Sequence, residues 1–107
     1  MTILTVRAKL KEEHVAEAVA AGKRMFAAIE REGLEGIRYA SMQLDDGVTF
    51  LALLEVEEGV ENPLFGLPEA QAFYERLPGW YVEPPEVGPG TLVGSYRLFS
   101  GEAVKAG

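Results

Sequence analysis

The spacing of apolar residues along this chain switches between period two and period 3.6, and the order of those switches admits few folds. Over Thr2–Leu10 the pattern alternates: Leu4, Val6, Ala8 and Leu10 lie on one side, Thr5, Arg7 and Lys9 on the other. That is the pattern of a half-buried strand. From about Lys11 to Glu32 the spacing becomes helical, with Val15, Ala18, Val19, Gly22, Met25, Phe26 and Ile29 forming one stripe. Glu12 and Glu13 stand in the first turn, where the helix dipole favours negative charge, and Gly33 supplies a stop. Gly22 inside the stripe costs about 1 kcal/mol relative to alanine, which predicts a close approach of helix to sheet there.

Ile37–Leu44 and Val48–Val56 are rich in β-branched, aromatic and aliphatic residues, and Asp45-Asp46-Gly47 between them is a strong hairpin signal. An irregular stretch, Glu57–Leu67, follows. Pro68 suits the first turn of a second helix, Pro68–Leu77, whose stripe is Ala70, Phe73, Tyr74 and Leu77 and whose end is Pro78-Gly79. All six prolines fall between Pro63 and Pro89, so Trp80–Gly90 reads as an extended loop and Thr91–Phe99 as the last strand. The order is strand, helix, strand, strand, helix, strand. It predicts one α+β domain over 1–107, ferredoxin-like βαββαβ, with two helices on one face of a four-stranded antiparallel sheet.

Composition narrows the function. Of 107 residues 48% are hydrophobic and 25% charged, the ordinary mix of a globular domain. The longest apolar runs, Met25–Ile29 and Phe50–Leu54, are far short of the ~20 residues of a membrane span. Met1-Thr2-Ile3-Leu4 has no secretory leader pattern, so a cytoplasmic protein without a membrane partner is expected. Cysteine is absent and His14 is the only histidine, which removes thiolate sites, Cys nucleophiles and paired-imidazole metal sites. A net charge of −7 disfavours a nucleic-acid partner.

The third strand carries a further expectation. Phe50, Ala52, Leu54 and Val56 make one side, but the other holds Leu51 and Leu53 besides Thr49 and Glu55. The last strand repeats this, with Val93 and Phe99 on its second side. Strands that are apolar on both sides are normally covered on both. Exposing Leu51, Leu53, Val93 and Phe99 would forfeit several kcal/mol at ~25 cal/mol per Å². A homodimer packed sheet to sheet recovers that loss. Arg7, Glu55 and Arg97 would then point at the partner sheet and meet as a charged cluster that fixes register. The expected interface is Arg7, Leu51, Leu53, Glu55, Val93, Arg97 and Phe99.

Element order, length and the two-sided third strand together resemble the dimeric α+β barrel superfamily, and within it the antibiotic-biosynthesis-monooxygenase-like proteins. The resemblance covers about the whole chain and is one of pattern. It implies a small-molecule pocket between a subunit's own sheet and helices. Haem-degrading members place an axial histidine late in the second helix, and Pro68–Leu77 has none. Cofactor-independent members use an Asn, a Trp and a Tyr around a phenolic substrate, and Asn62, Trp80 and Tyr74 are the residues available here. Phe26, Phe73, Tyr74 and Trp80 are the expected walls of an apolar pocket. The plain alternative is that Asn62 caps the turn at Pro63 while Tyr74 and Trp80 pack in the core.

No cofactor is demanded by any residue. The acidic run Glu55, Glu57, Glu58 and Glu61 lacks the spacing of a calcium loop, so no metal site is expected, and a solvated edge is its natural reading. His14 reads as a surface residue at a helix start. The expected function is monooxygenase-like handling of an apolar, aromatic or polyketide-like compound. The alternative is a non-catalytic binding or interaction domain of the same fold.

Overall fold

The structure, a computed structural model, describes residues 2–98. Four strands, β1 (Thr2–Lys9), β2 (Ile37–Gln43), β3 (Thr49–Val56) and β4 (Glu86–Thr91), form one antiparallel sheet in the order β2-β3-β1-β4. Two helices, α1 (Val15–Glu32) and α2 (Pro68–Trp80), cover one of its faces. Short 3₁₀ turns at Glu12–His14 and Pro63–Gly66 lead into them.

The register decides which side chains meet the helices. Leu4 pairs with Leu54 and Leu54 with Tyr39; Val6 pairs with Ala52, and Ala8 with Phe50. Leu54 and Tyr39 pack with Met25, Ala28, Leu64, Leu67 and Ala70, while Phe50 packs with Leu10, Ala18, Ala21 and Trp80. The opposite face is built from Ile3, Thr5 and Arg7, from Leu51, Leu53 and Glu55, and from Arg38, Ala40 and Met42. The α+β ferredoxin-like order is therefore as expected.

Local chemistry sets the turns. Gly33 has φ 61°, and Gly33 and Leu34 donate their N–H groups to Glu30 O and Ile29 O, closing α1 in a left-handed cap. In the β2–β3 turn Asp46 Oδ1 accepts from Val48 N (2.9 Å) and Thr49 N (2.8 Å), and Oδ2 accepts from Thr49 Oγ1 (2.5 Å). These bonds hold the Asp46 carboxyl below the usual carboxylate range, and Gly47 beside it takes φ 78°.

Two elements and one packing contact differ from expectation. The helix α2 runs through Pro78 to Trp80 instead of ending at Leu77. A proline in the last turn costs only the bond it cannot donate, and burial of Trp80, 4% exposed, holds the turn in place. Its carbonyl accepts from Lys11 N at 2.8 Å. The last strand is Glu86–Thr91, within the stretch expected to be loop, and not Thr91–Phe99. Gly88, Pro89 and Gly90 are tolerated because β4 is an edge strand. The ladder with β1 reaches Thr2 at Thr91, so Leu92–Leu98, for all its strand propensity, pairs with no strand among the described residues. Gly22, finally, faces α2 and not the sheet: a Cβ there would lie 3.7 Å from Phe73 Cε1, an ordinary contact.

Two stability outcomes follow from this packing. Gly22→Ala gains helix propensity without a clash and is expected to stabilise the fold by about 1 kcal/mol in urea titration. Met25→Ala removes a side chain that is 1% exposed and is expected to cost about 2–5 kcal/mol by the same measurement.

Candidate functional site

The helices leave the β4 side of their face open. Leu4 is 41% exposed and Val87 58%, although both point to the helix side. Here lies a cleft of about 340 Å³ lined by Leu4, Leu54, Val56, Asn62, Gly88 and Pro89. Its walls are apolar except for Asn62, which stands at the N-cap of the Pro63–Gly66 turn in extended conformation, with Pro63 as the first residue of that turn. Asn62 Oδ1 accepts from Leu64 N at 3.0 Å, and Leu64, 1% exposed, anchors the turn in the core. Asn62 thus caps the turn and also borders the cleft.

Of the four residues expected to line a pocket, Phe73 packs edge-on against both Tyr74 and Trp80, and Phe26 packs against Tyr39. Phe26 and Tyr39 have ring centroids 4.9 Å apart; Phe73 lies 5.6 Å from Tyr74 and 5.9 Å from Trp80. They fill the layer between helices and sheet, and Trp80, with the Arg76 guanidinium 5.7 Å from its ring centroid, lies in the core cluster around Leu10, Ala18 and Ala21. Asn62, Tyr74 and Trp80 therefore do not converge on one cavity: Asn62 borders the cleft, while the two aromatics belong to the core. The structure adds Tyr39, whose hydroxyl lies 2.7 Å from that of Tyr74. Burial raises the Tyr39 hydroxyl well above the usual phenol range, and its bond to Tyr74 adds to the effect. Burial also raises the Tyr74 hydroxyl, with the Tyr39 bond acting against it.

The other face of the sheet carries a groove of about 500 Å³ walled by Thr5, Arg7, Met42, Leu51, Leu53 and Glu86, with Gly88 leaving space at its floor. Arg7, Leu51, Leu53 and Glu55 share this face, as expected. The Arg7–Glu55–Arg97 cluster does not form. Arg7 pairs across strands with Leu51, and Glu55 with Ile3, so the two lie apart along the ladder. Arg7 Nε is 4.0 Å from Glu86, and Arg38 Nε is 3.5 Å from Glu55. Val93 and Arg97 follow β4 and are not in the sheet; Arg97 stacks 5.4 Å from the Tyr96 ring centroid. Phe99 lies outside the described residues.

His14 sits at the start of α1 with Nδ1 3.5 Å from Glu17, and Glu57, Glu58 and Glu61 are exposed. Among the described residues no group of three or more His, Cys, Asp or Glu side chains is placed to hold a metal ion, and no helix is long and apolar enough to cross a membrane. The cleft walls Leu4, Leu54, Val56 and Pro89 escaped sequence analysis because the strand that completes them was read as loop. Alternation over β1 and β3 was the signal that could have found the first three.

The tyrosine pair has a pH signature. A phenol raised in the folded state keeps its proton when the unfolded chain, with a pKa of about 10, has lost it. Its stabilisation is complete below about pH 10 and is lost as pH rises further. Urea midpoints at pH 7 and pH 11 should therefore fall less steeply for Tyr39→Phe than for the wild type.

No protein-family model matches the chain, and no curated protein is similar in sequence. Solved structures are similar in fold. A protein assigned to the antibiotic biosynthesis monooxygenases from Bacteroides thetaiotaomicron superposes with a TM-score of 0.71 at 12% identity, covering 87% of this chain and 90% of its own. One of the same assignment from Nitrosomonas europaea gives 0.66 at 17% identity, covering 88% and 100%. SnoaB, a cofactor-independent oxygenase from Streptomyces nogalater solved as an Asn→Ala variant, gives 0.63 at 15% identity, covering 88% and 94%. The chain has the fold of the antibiotic biosynthesis monooxygenase-like proteins, an α+β sheet backed by two helices.

Proposed function

We propose that this protein takes an apolar aromatic or polyketide-like compound into the helix-side cleft and oxidises it without a resident cofactor. One observation carries the reading: an apolar cleft that carries a single polar side chain, Asn62, in the fold that SnoaB also has. Such a site suits a flat apolar molecule with one polar group to orient. Asn62 Oδ1 is committed to Leu64 N–H, so its amide NH₂ is the part free to donate to a ligand carbonyl or phenolate. Tyr74, which packs in the same core cluster as the wall residue Leu54, acts behind the wall as a positioning residue, with Trp80 bracing it through Phe73. Oxygen chemistry without metal or flavin draws its electrons from the substrate, which must therefore be electron-rich, of quinol type.

The residues around the cleft also favour a second reading. Leu4, Leu54, Val56, Asn62, Gly88 and Pro89 include no titratable side chain, so the walls supply no general base. A binding module that holds the same class of compound without turning it over fits that scarcity.

The sheet's second face supports a homodimer in either reading. Leu51, Leu53 and Met42 stand on it beyond the reach of the helices. Sedimentation at micromolar concentration should give twice 11.7 kDa, and Leu53→Arg should shift the species towards a single copy.

Oxygen uptake with a panel of quinols separates the two functions. Turnover that falls at least tenfold in Asn62→Ala, with unchanged circular dichroism, supports the oxygenase. Saturable binding by calorimetry without uptake supports the binding module. Neither binding nor uptake across the panel would remove both.

A further inference from the structure

The turn that carries Asn62 also carries an aromatic side chain that internal packing does not use. Phe65 is 69% exposed, although its neighbours Leu64 and Leu67 are 1% and 4% exposed. The backbone of the turn fixes it there. Asn62 Oδ1 accepts from Leu64 N, Phe65 N donates to Asn62 O at 3.4 Å, and Gln71 Nε2 donates to Phe65 O. Residues three apart in a 3₁₀ turn stand on the same side. Phe65 is three residues from the cap Asn62, so its ring stands on the side from which Asn62 borders the cleft. A large apolar ring held in water beside an apolar cleft marks a place that a ligand covers.

Charge gathers at the same mouth. The chain passes from one wall residue, Val56, to another, Asn62, through Glu57, Glu58 and Glu61, all exposed. Among the described residues none of the three enters an ion pair. Glu57 N bonds to Gly36 O at 2.8 Å, so the alternation of β3 continues through it and turns its side chain to the face opposite Val56. Glu58 and Glu61 remain on the loop itself, two residues from Val56 and one from Asn62. At that separation their charges act on the cleft within the screening length of about 8 Å at physiological salt. Arg38, on the strand beside β3, is held by Glu55 at 3.5 Å. A cleft with uncharged apolar walls and a rim of one sign focuses that field and concentrates molecules of the other sign. The face of the Phe65 ring favours the same sign, because its quadrupole attracts an ammonium group.

We propose that the compound taken into the helix-side cleft is an amine: an aromatic ring system against Leu4, Leu54 and Pro89, with its ammonium group at the mouth between Phe65 and the carboxylates of Glu58 and Glu61. The inference rests on the cleft reading above and narrows it, since an acid of the same shape is repelled where the amine is drawn in. The cavity and Asn62 make the binding site; the rim chooses the sign of the ligand's charge.

Naphthylmethylamine, naphthalenemethanol and naphthoic acid share one ring system and are cationic, neutral and anionic at pH 7, so they separate the two claims. Calorimetry in about 20 mM salt should give the amine a dissociation constant at least about fivefold below that of the alcohol, with the acid weakest. In about 0.5 M salt the advantage of the amine should shrink to about twofold, the share of the Phe65 ring. Glu58→Gln/Glu61→Gln should remove the salt-sensitive share and move the alcohol by less than about twofold, and Phe65→Leu should remove the remainder. An amine that binds no tighter than the alcohol, or an advantage unchanged in Glu58→Gln/Glu61→Gln, overturns the amine and leaves the cleft standing. If none of the three binds to the folded chain, the cleft reading falls and the amine with it.

Discussion

The ladder between β1 and β3 is the constraint on which the rest of the molecule depends. Its register, from Ile3 opposite Glu55 to Lys9 opposite Thr49, decides that Leu4, Val6, Phe50 and Leu54 lie on the helix side of the sheet. A slip by one residue would put Arg7 and Glu55 into the helical layer and lift the core residues out of it. The hairpin to β2 is tied to the same register through Asp46, whose carboxylate bonds to the start of β3. β4 in turn hangs on the outer side of β1, where Thr5 Oγ1 donates to Gly88 O at 3.0 Å.

What could be read from the sequence was whatever rests on local periodicity. Alternation over β1 and β3 and the stripe of α1 each come from burial of one side of a regular element, and each was legible. The last strand was not. Glu86–Thr91 holds two glycines and a proline, and only the presence of β1 beside it makes it a strand. Leu92–Leu98 has the opposite character, strong local preference and no strand beside it among the described residues. Both errors have one cause: a strand is defined by its partner, and a pattern along one segment does not contain the partner.

The candidate site shows the same division. Asn62 before Pro63 was readable as a turn cap, and the cap is there at 3.0 Å. That its side chain also borders a cleft depends on β4 leaving the helix side uncovered, which no local pattern reports. The aromatics Phe26, Phe73 and Tyr74 fall on the helical stripes and Trp80 was read just beyond the second helix, but such a reading does not distinguish the lining of a cavity from its filling. Here Phe73 touches Tyr74 and Trp80, and Phe26 touches Tyr39, so these rings pack within the layer between helices and sheet.

The hydroxyl contact between Tyr39 and Tyr74 reaches beyond its two residues. Oily surfaces slide over each other at little cost, and most of what joins α2 to the sheet is of that kind. A bond that tolerates only a few tenths of an ångström acts as a locating pin, with one half on an outer strand and the other on the helix that follows the Pro63 turn. The cleft beside that turn keeps its width because the helix behind it has a single place to stand.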